Sequence, residues 1–567
     1  MPLNRTKPQE SRAAIQRLYI AMRHLFIRGS YKPLGVSGES MIEALMQLGP
    51  EIYGSIADPE KVELKGLLYI FERLPRGIEE CRYVRLISRE GYEESHFEPI
   101  VPAKRRRNCY RIDDQQMFIE MTRGRSDIYD VLTHLTFMYI EAEKIRHNAT
   151  DQKGRPSREW LMLEQLVLEE SQAEDLNREV AYTYLSTLLG RSFRETVQAC
   201  QDFDQSAGVN SIFHITYWLG KRSFDETDEQ LDREISFSSD LREKIGHHTY
   251  GEYWANHIKS FLVENGLFER PLHIISANLH SVMNLLYAEQ ALLTDTTVGD
   301  SLKEKIETLS QPRHSALRAK VARYASDHGM HRLDDLTGTN ISVQIFDLAR
   351  LMPEFQSPEL PADFDHIARE KPLLLVMDYA FGEQAFETMD ELLKPFEEAP
   401  ENPSLNVASI SIMGKAGILC GNKGEIMLPT AYVFEGTTDN YPLDNDLTIA
   451  DFSDQDIPVF EGPMITVLGT SLQNQEVLRF FLESSWKAIG LEMEGAHYQK
   501  AIQAASRIRN SIDSGVKLRY AYYASDNPLL TGHTLASGSL GLEGVQPTYV
   551  ITRKILEKII GPSSTAD

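Results

Sequence analysis

From Lys371 onward, short apolar runs alternate with amphipathic segments, and this alternation restricts the fold more than any other feature of the sequence. The run Leu373–Met377 is apolar throughout and short enough for a buried strand, and residues 382–393 then have helical spacing. Further strands are predicted over 407–413, 425–434, 464–468 and 516–523. This pattern predicts an α/β domain in which helices flank a mixed central sheet.

The longer amino-terminal part has a different pattern and predicts a mainly α-helical region. Apolar residues recur at helical spacing over 11–28, 127–145, 157–176 and 178–189. Between the two regions, 271–278 resembles a buried strand and 353–365 contains the prolines of a linker candidate. Since 567 residues exceed one hydrophobic core, we predict three parts. They are the helical region 1–265, a segment 266–365 that can add strands to the last sheet, and the α/β domain 366–567.

The net charge, the cysteines and the length of the apolar stretches limit the partners and the cellular location that we expect. A formal net charge of −24 repels phosphate backbones, so no nucleic-acid polymer is expected as partner. The four cysteines are scattered, which predicts a cytoplasmic protein with neither a disulfide framework nor a metal centre, and no cofactor is expected. No apolar stretch reaches the length of a membrane helix. The single basic run, 104–107, is either a solvated loop or a contact for phosphate or an acidic partner.

Two carboxylates flank a methionine at Glu492, Met493 and Glu494, just before a predicted helix. One carboxylate can accept two hydrogen bonds at once, which suits a vicinal diol such as that of ribose. The methionine can pack against the flat face of a sugar or base. The alternative is that these acidic groups serve the helix dipole, and for Glu492 we weigh the two interpretations equally.

Two other segments carry candidate chemistry. Asp526, preceded by Ser525 at the end of a predicted strand, can share a proton with a purine ring nitrogen and so improve the base as a leaving group. Gly414, Lys415 and Gly417 form a predicted glycine-rich turn whose backbone N–H groups can approach a ligand closely. Taken singly, each segment is also typical of an ordinary turn.

Together and in this order these segments resemble the nucleoside phosphorylase superfamily, which includes purine nucleoside phosphorylases, methylthioadenosine nucleosidases and AMP nucleosidases. The matching segments are 410–419, 424–431, the E-M-E-G-A sequence at 492–496, and 525–526. The resemblance covers about residues 370–560, the C-terminal third. It implies a purine nucleoside or nucleotide as ligand, phosphate as a conceivable second partner, and a homo-oligomer.

The resemblance also implies roles by position. Glu494 would hold the ribose hydroxyls, Met493 would line the sugar, and Asp526 would be the general acid toward the base. In the nucleosidase branch, an acidic residue just after the first strand activates the attacking water. Glu383 is the nearest candidate for that role, and Asp378 is the alternative.

The sequence departs from the superfamily at the phosphate site. Phosphorylases place an arginine three residues before a small hydroxyl residue in the glycine-rich segment, whereas this chain has Ile412 and Lys415 there. Lys415 could bind a phosphate that belongs to the substrate, or it is a solvated lysine. We therefore predict hydrolysis of an N-glycosidic bond. The alternatives are phosphorolysis at an atypical phosphate site and a catalytically inactive nucleotide sensor or scaffold.

Overall fold

The chain folds into two compact units in a computed structural model that describes residues 6–168, 178–295, 297–351, 359–530 and 541–562. The first unit comprises Met1–His247 and the short segment Ser471–Val477, and the second comprises His248–Thr470 and Leu478–Asp567. Most of the proline-containing part of the linker candidate 353–365, and the end of the helix predicted over 157–176, lie outside the described residues. The linker candidate ends in a described helix that begins at Phe364.

The first unit combines helices with a sheet. Its helices are α1 (Lys7–Arg28), α2 (Val36–Leu48), α3 (Leu64–Phe71), α4 (Gly124–Asn148), α5 (Arg158–Leu168), α6 (Arg178–Leu189), α7 (Phe193–Gln205), α8 (Ile212–Asp228) and α9 (Ser239–Gly246). Its strands are β1 (Ser30–Tyr31), β2 (Tyr83–Ile87), β3 (Pro99–Ile100), β4 (Cys109–Arg111), β5 (Gln116–Glu120) and β6 (Glu234–Phe237). They form a six-stranded sheet in the order β1-β6-β2-β5-β4-β3, so the region predicted as mainly α-helical also contains a sheet.

Helix α4 is buried along most of its length, and its aspartates bind two arginines of the basic run 104–107. The guanidinium of Arg107 is buried and bonds Asp127 Oδ1 at 2.8 Å and Asp130 Oδ2 at 2.9 Å. Arg105 reaches Asp130 at 3.1 Å. The solvated-loop interpretation is therefore wrong for Arg105 and Arg107, because two aspartates on the first turns of α4 bind them inside the unit.

The segment Ser471–Val477 completes the first unit from a distant part of the chain. The side-chain amide of Asn474 donates to the carbonyl oxygen of Leu48 at 2.8 Å. The backbone N–H of Glu51 donates to the carbonyl oxygen of Gln473 at 3.1 Å, and the Glu51 carboxylate accepts from the N–H of Gln475 at 2.6 Å. These contacts hold the segment against the end of α2.

The second unit is an α/β fold built on a large mixed sheet. Its helices are α10 (Thr249–Glu264), α11 (Leu279–Ala291), α12 (Leu302–Leu309), α13 (Ser315–Asp327), α14 (Phe364–Glu370), α15 (Gln384–Leu392), α17 (Gly495–Gln503) and α18 (Val545–Ile560), while α16 (Gln475–Glu483) begins inside Ser471–Val477. Its strands are β7 (Leu272–Ser276), β8 (Met330–Leu333), β9 (Val343–Asp347), β10 (Leu373–Met377), β11 (Val407–Ile418), β12 (Ile426–Phe434), β13 (Asn440–Pro442), β14 (Val459–Thr466), β15 (Gly490–Glu492) and β16 (Lys517–Asp526).

The strand order is β13-β12-β14-β15-β11-β7-β10-β9-β8, and β16 pairs with both β11 and β12. Strands β7, β8 and β9 come from the segment 266–365, so this segment contributes to the same sheet as the residues after 366. The α/β unit is therefore larger than the C-terminal third that the sequence resemblance covers. Strand β7 is the first strand of the sheet in chain order, and it lies between β10 and β11.

Part of the sheet closes on itself. Strand β11 pairs with β16, β16 with β12, β12 with β14, β14 with β15, and β15 again with β11. These pairings form a closed ring of strands, and β7 continues the sheet outward from β11 to β10, β9 and β8. The long β11 makes both arrangements possible because its first part pairs with β7 and its last residues pair with β15.

The outward part of the sheet is buried on both faces. All residues of β10 are buried, which is usual for parallel strands covered by helices on each side. One face packs on residues of α10, α15 and α17, and the other packs on residues of α11, α13 and α18. Within the described ranges, none of the helices combines the length and hydropathy that a bilayer span needs.

Candidate functional site

The candidate residues follow strands whose carboxyl ends lie at one edge of the sheet. Strands β10, β7, β11 and β16 are neighbours in this order, and each adjacent pair is parallel. Ser276, the last residue of β7, pairs with Met377 on one side and with Ile412 on the other. The residues after these positions therefore come together, as expected for ligand sites in open α/β sheets.

Gly417 brings the two acidic segments together. It pairs with Asp526 of β16 and with Leu491 of β15, so that these two residues flank it on opposite sides. Neighbouring strands lie about 4.8 Å apart, which places the backbones of Asp526 and Leu491 within roughly 10 Å. The acidic group Glu492–Glu494 follows Leu491, and because β15 is antiparallel to β11, this group continues back along β11 toward Gly414. The strand register thus brings the backbones of Asp526 and Leu491 close together.

The segment around Gly414 is not a turn, contrary to the sequence prediction. Gly414, Lys415 and Gly417 continue β11, with a register irregularity between Ala416 and Gly417. The strand continues because it has pairing partners on both sides up to its end, and such partners cannot be seen in the local sequence. A turn follows instead at residues 419–425, where Gly424 has a φ of +82°.

Asp526 is almost completely buried, with 1% of its surface exposed. The hydroxyl of Ser525 donates to Asp526 Oδ1 at 2.6 Å, and the carbonyl oxygen of Ala416 lies 3.2 Å from the same hydroxyl. The side-chain amide of Asn527 donates to the carbonyl oxygen of Gly421 at 2.9 Å and so fixes the end of the strand. Ser525 therefore orients the carboxyl group of Asp526.

Glu492 has a structural role at the start of α17. One of its carboxylate oxygens accepts from the backbone N–H groups of Glu494, at 2.6 Å, and Gly495, and the other accepts from the hydroxyl of Thr466. Burial raises the pKa of Glu492 to about 8, and the neighbouring charge of Glu494 adds to the rise. Glu492 thus holds the backbone at the start of α17 through its side-chain bonds to the N–H groups of Glu494 and Gly495.

Glu494 is half-buried and points toward the segment after β10. Its Oε1 atom accepts from the backbone N–H of Gly382 at 2.8 Å, and Gly382 has a φ of +56°, a conformation that favours glycine. Met493, between the two glutamates, is 8% exposed. The hydroxyl groups of Tyr498 and Ser276 lie 3.1 Å apart behind this region. Tyr498 and Ser276 gave no signal in the sequence, since either is an ordinary core residue when it is considered alone.

Lys415 follows Gly414 in β11, and the ring of Tyr379 lies close to Gly414. Lys415 is exposed, although its neighbours in β11 are buried, and it pairs with Tyr523 of β16. A Cβ atom placed on Gly414 would lie 3.5 Å from the Tyr379 ring, which leaves no room for a large side chain. The backbone N–H of Asn278 donates to the Tyr379 hydroxyl. Sequence reasoning missed Tyr379 because it follows a strand that carried no motif.

The resemblance places the carboxylate that activates water just after the first strand of the sheet. β7 is the first strand of the sheet, and residues 277–281 after it contain no carboxylate. Asn278 there accepts from the backbone N–H of His280 at 3.0 Å and caps α11. Glu383 lies directly before α15, and Asp378 directly follows β10, which is parallel to β7. Both carboxylates therefore stay predictions for this role.

One group of three residues in the described part of the first unit could hold a metal ion, namely Glu79, Glu80 and His214. His214 Nε2 already lies 2.8 Å from Glu80 Oε1, and Arg111 binds the other oxygen of Glu80 at 2.7 Å. Glu79 accepts from Asn210 at 2.6 Å. These contacts use oxygens that a metal ion would need.

Comparison with known proteins identifies a family and several similar structures. A family model described as a family of unknown function, DUF6909, matches residues 39–310 and 302–561. No curated protein matches in sequence.

The similar solved structures include the 5′-methylthioadenosine/S-adenosyl homocysteine nucleosidase of Campylobacter jejuni, with 11% identity, a TM-score of 0.30, and coverage of 51% of this chain and 98% of that chain. The futalosine hydrolase of Helicobacter pylori has 12% identity, a TM-score of 0.29, and coverage of 51% and 96%. Isoform 2 of uridine phosphorylase from Schistosoma mansoni has 12% identity, a TM-score of 0.30, and coverage of 55% and 88%. Structural similarity at this identity and TM-score does not indicate an activity for this chain.

Proposed function

We propose that this chain, which belongs to the family of unknown function DUF6909, binds a purine nucleoside or nucleotide and hydrolyses its N-glycosidic bond. The observation that carries the proposal is the pairing of Gly417 with both Asp526 and Leu491. This register supports the proposal because the buried Asp526 and the residue that precedes the Glu492–Glu494 segment flank the same position of β11. The E-M-E-G-A sequence that resembles the nucleoside phosphorylase superfamily lies in that segment.

Binding would begin with the sugar. A carboxylate offers about four acceptor positions, so Glu494 can accept from the N–H of Gly382 and also from ribose hydroxyls. Met493 would pack on the sugar face. In this proposal Glu492 does not touch the ligand but holds the backbone of Glu494 in place through its bonds to the start of α17.

The bond cleavage requires a proton at the base and an activated water. Water adds to the anomeric carbon, the C–N bond breaks, and its electron pair passes to the base. Asp526, oriented by Ser525, supplies the proton that neutralises the leaving base. The proton lost by the water passes to a carboxylate, for which Glu383 is the first candidate and Asp378 the second.

The exposed Lys415 takes the place of the small hydroxyl residue that phosphorylases use, and Ile412 is buried in the core. Both features favour hydrolysis over phosphorolysis.

A second candidate function is a nucleotide sensor without catalysis. The observation that favours it is the absence of a carboxylate among residues 277–281, directly after the first strand of the described sheet. In a sensor, Glu494 would still accept hydrogen bonds from the sugar, but no carboxylate would activate a water molecule.

The test is base release from purine nucleosides and their monophosphates, measured by chromatography with and without inorganic phosphate. Free base and ribose formed without phosphate would support hydrolysis, and ribose 1-phosphate would indicate phosphorolysis. Asp526→Asn should lower the turnover number by about 10² to 10⁴ without changing the melting temperature. Asp456→Asn, which alters an exposed aspartate of the same unit, is the matched control. Unchanged turnover in the Asp526 variant would contradict the mechanism, and tight binding without release would favour the sensor.

A further inference from the structure

A cavity of about 400 Å³ lies at the carboxyl ends of β7 and β16, beside the proposed nucleoside site. Several polar side chains line it, namely Asn278, His280, Asn284, Arg318, Tyr523 and Tyr549. These residues come from α11, α13, α18 and the two strand ends. The cavity lies within the second unit, and the steps of the proposed hydrolysis do not use it.

The cavity adjoins the residues already described. Tyr523 on its wall pairs with Lys415 in the register of β11 and β16. Asn278 on its wall donates its backbone N–H to the hydroxyl of Tyr379, whose ring lies against Gly414. A ligand whose sugar is held by Glu494, which bonds Gly382 in the same segment after β10 as Tyr379, can therefore extend a substituent toward the cavity.

Arg318 places a guanidinium charge at the cavity wall, where it contacts backbone carbonyl oxygens. Its Nη1 atom donates to the carbonyl oxygens of Leu309, at 2.9 Å, and Gln311, at 2.7 Å, and its Nη2 atom donates to that of Pro312 at 3.0 Å. These acceptors are neutral carbonyl oxygens, and Arg318 forms no ion pair with a carboxylate of the described residues. The bonds hold Arg318 rigidly, so its charge remains available to a ligand.

Asn284 is a buried polar group that lacks a full set of partners. It is 3% exposed, and its Nδ2 atom donates to the hydroxyl of Tyr549 at 2.7 Å, while Oδ1 has no hydrogen-bond partner. The two ends of an amide are interchangeable in such an assignment, so in either orientation one end remains unpaired beside the cavity. Buried polar atoms in folded proteins are nearly always paired, which indicates that a ligand group completes this site.

We infer that the cavity binds a phosphoryl group carried by the ligand, so that the ligand is a nucleotide rather than a free nucleoside. Arginine recognises phosphate through charge-assisted hydrogen bonds, and the amide of Asn284 and the hydroxyl of Tyr549 add neutral contacts. The chain has a net charge of −24 and therefore repels anions in general. A guanidinium at the cavity wall with only neutral contacts favours the binding of an anionic group at this one place. The inference rests on the proposed function, since it assigns the second part of the same ligand.

The experiment compares the binding of matched ligand pairs to the full chain by titration calorimetry. The pairs are adenosine with its 5′-monophosphate, inosine with its 5′-monophosphate, and guanosine with its 5′-monophosphate. We expect at least one monophosphate to bind at least tenfold more tightly than its nucleoside. Arg318→Met should abolish this gain and leave nucleoside affinity unchanged. Arg323→Met, which removes the same charge from an exposed position of α13, should preserve the gain.

Asn284→Asp provides an independent variant in case the Arg318 variant fails to fold, because it keeps the side-chain size and places a negative charge at the cavity. It should also abolish the gain. Inorganic phosphate should compete with the monophosphate and not with the nucleoside. The inference is overturned if each pair binds equally, if the gain survives in both variants, or if inorganic phosphate strengthens nucleoside binding. Nucleoside binding without the gain would leave the proposed function standing, whereas no binding of any of these ligands would contradict both.

Discussion

Glu492 allows a test of the candidate site that does not need a substrate. Burial, with help from the charge of Glu494, raises the pKa of Glu492 from its usual value of 4.5 to about 8. The folded protein therefore prefers the protonated form, in which the carboxyl O–H can point at Thr466 while the other oxygen caps α17. Glutamine has the same shape as this protonated form, so Glu492→Gln should preserve the cap.

The magnitude follows from the pKa. A folded-state pKa of about 8 against 4.5 in the unfolded chain corresponds to roughly 3–5 kcal/mol of preference for the protonated form. The stability that Glu492 contributes is fully present below pH 4.5. It is lost progressively as the pH rises to about 8, because the unfolded chain ionises freely while the folded chain does not. Glu492→Gln has no ionisable group at this position, so its stability does not fall in this way. The free energy of unfolding of the variant minus that of the wild type should therefore increase by about 1 kcal/mol per pH unit over this interval.

The assay is thermal and urea unfolding of both proteins at pH values from 5 to 9, together with hydrogen exchange of peptides from α17. The two proteins should be similar at pH 5, and Glu492→Gln should be the more stable at pH 9. Glu461→Gln, at an exposed position of β14, controls for the loss of one charge. A stability difference that is the same at every pH would refute the argument that Glu492 is buried in its protonated form.

Three further substitutions test other parts of the structure. Gly495→Ala should destabilise the second unit by about 1–3 kcal/mol in urea unfolding, because its Cβ atom would lie 2.1 Å from the Tyr432 ring. Gly382→Ala should cost about 1 kcal/mol, since its φ is +56°, and should weaken nucleoside binding in calorimetry by displacing the N–H that bonds Glu494. Asp130→Asn should destabilise the first unit by about 3–5 kcal/mol in urea unfolding, because the buried Arg107 and the half-buried Arg105 lose the charge of their shared partner.

Matched controls exist for these substitutions. Gly469→Ala places a Cβ atom in open space and should change stability little. Asp114→Asn alters an exposed aspartate of the first unit and should have a similarly small effect. Equal effects for the test and control variants would contradict the packing and ion-pair arguments.

The sequence predicted the strands of the second unit well where they are apolar runs with polar ends. Leu373–Met377 is an example, because burial on both faces leaves a continuous apolar segment. The mixed sheet with flanking helices is confirmed in the structure. The place of β7 between β10 and β11 was not predictable, since pairing between residues about 100 positions apart leaves no local pattern. The same reason explains why Gly414 and Gly417 resembled a turn.

The site was partly predictable. The sequence named Asp526 and Glu494 as candidates from their motifs, and the register places Asp526 and Leu491 on either side of Gly417. It could not decide between ligand contact and helix capping for Glu492, because both need a carboxylate at the same position. It also gave no indication of Arg318 or Asn284, because an arginine and an asparagine on helices are ordinary surface residues until a cavity is seen beside them.

The segment Ser471–Val477 has a consequence for how the chain is made. A nascent polypeptide that has left the ribosome only as far as His247 lacks the residues that bond Leu48 and Glu51. More than two hundred further residues must be translated before those partners emerge. The amino-terminal unit therefore completes its packing late, and a chaperone that shields the end of α2 during this interval would protect it from premature association.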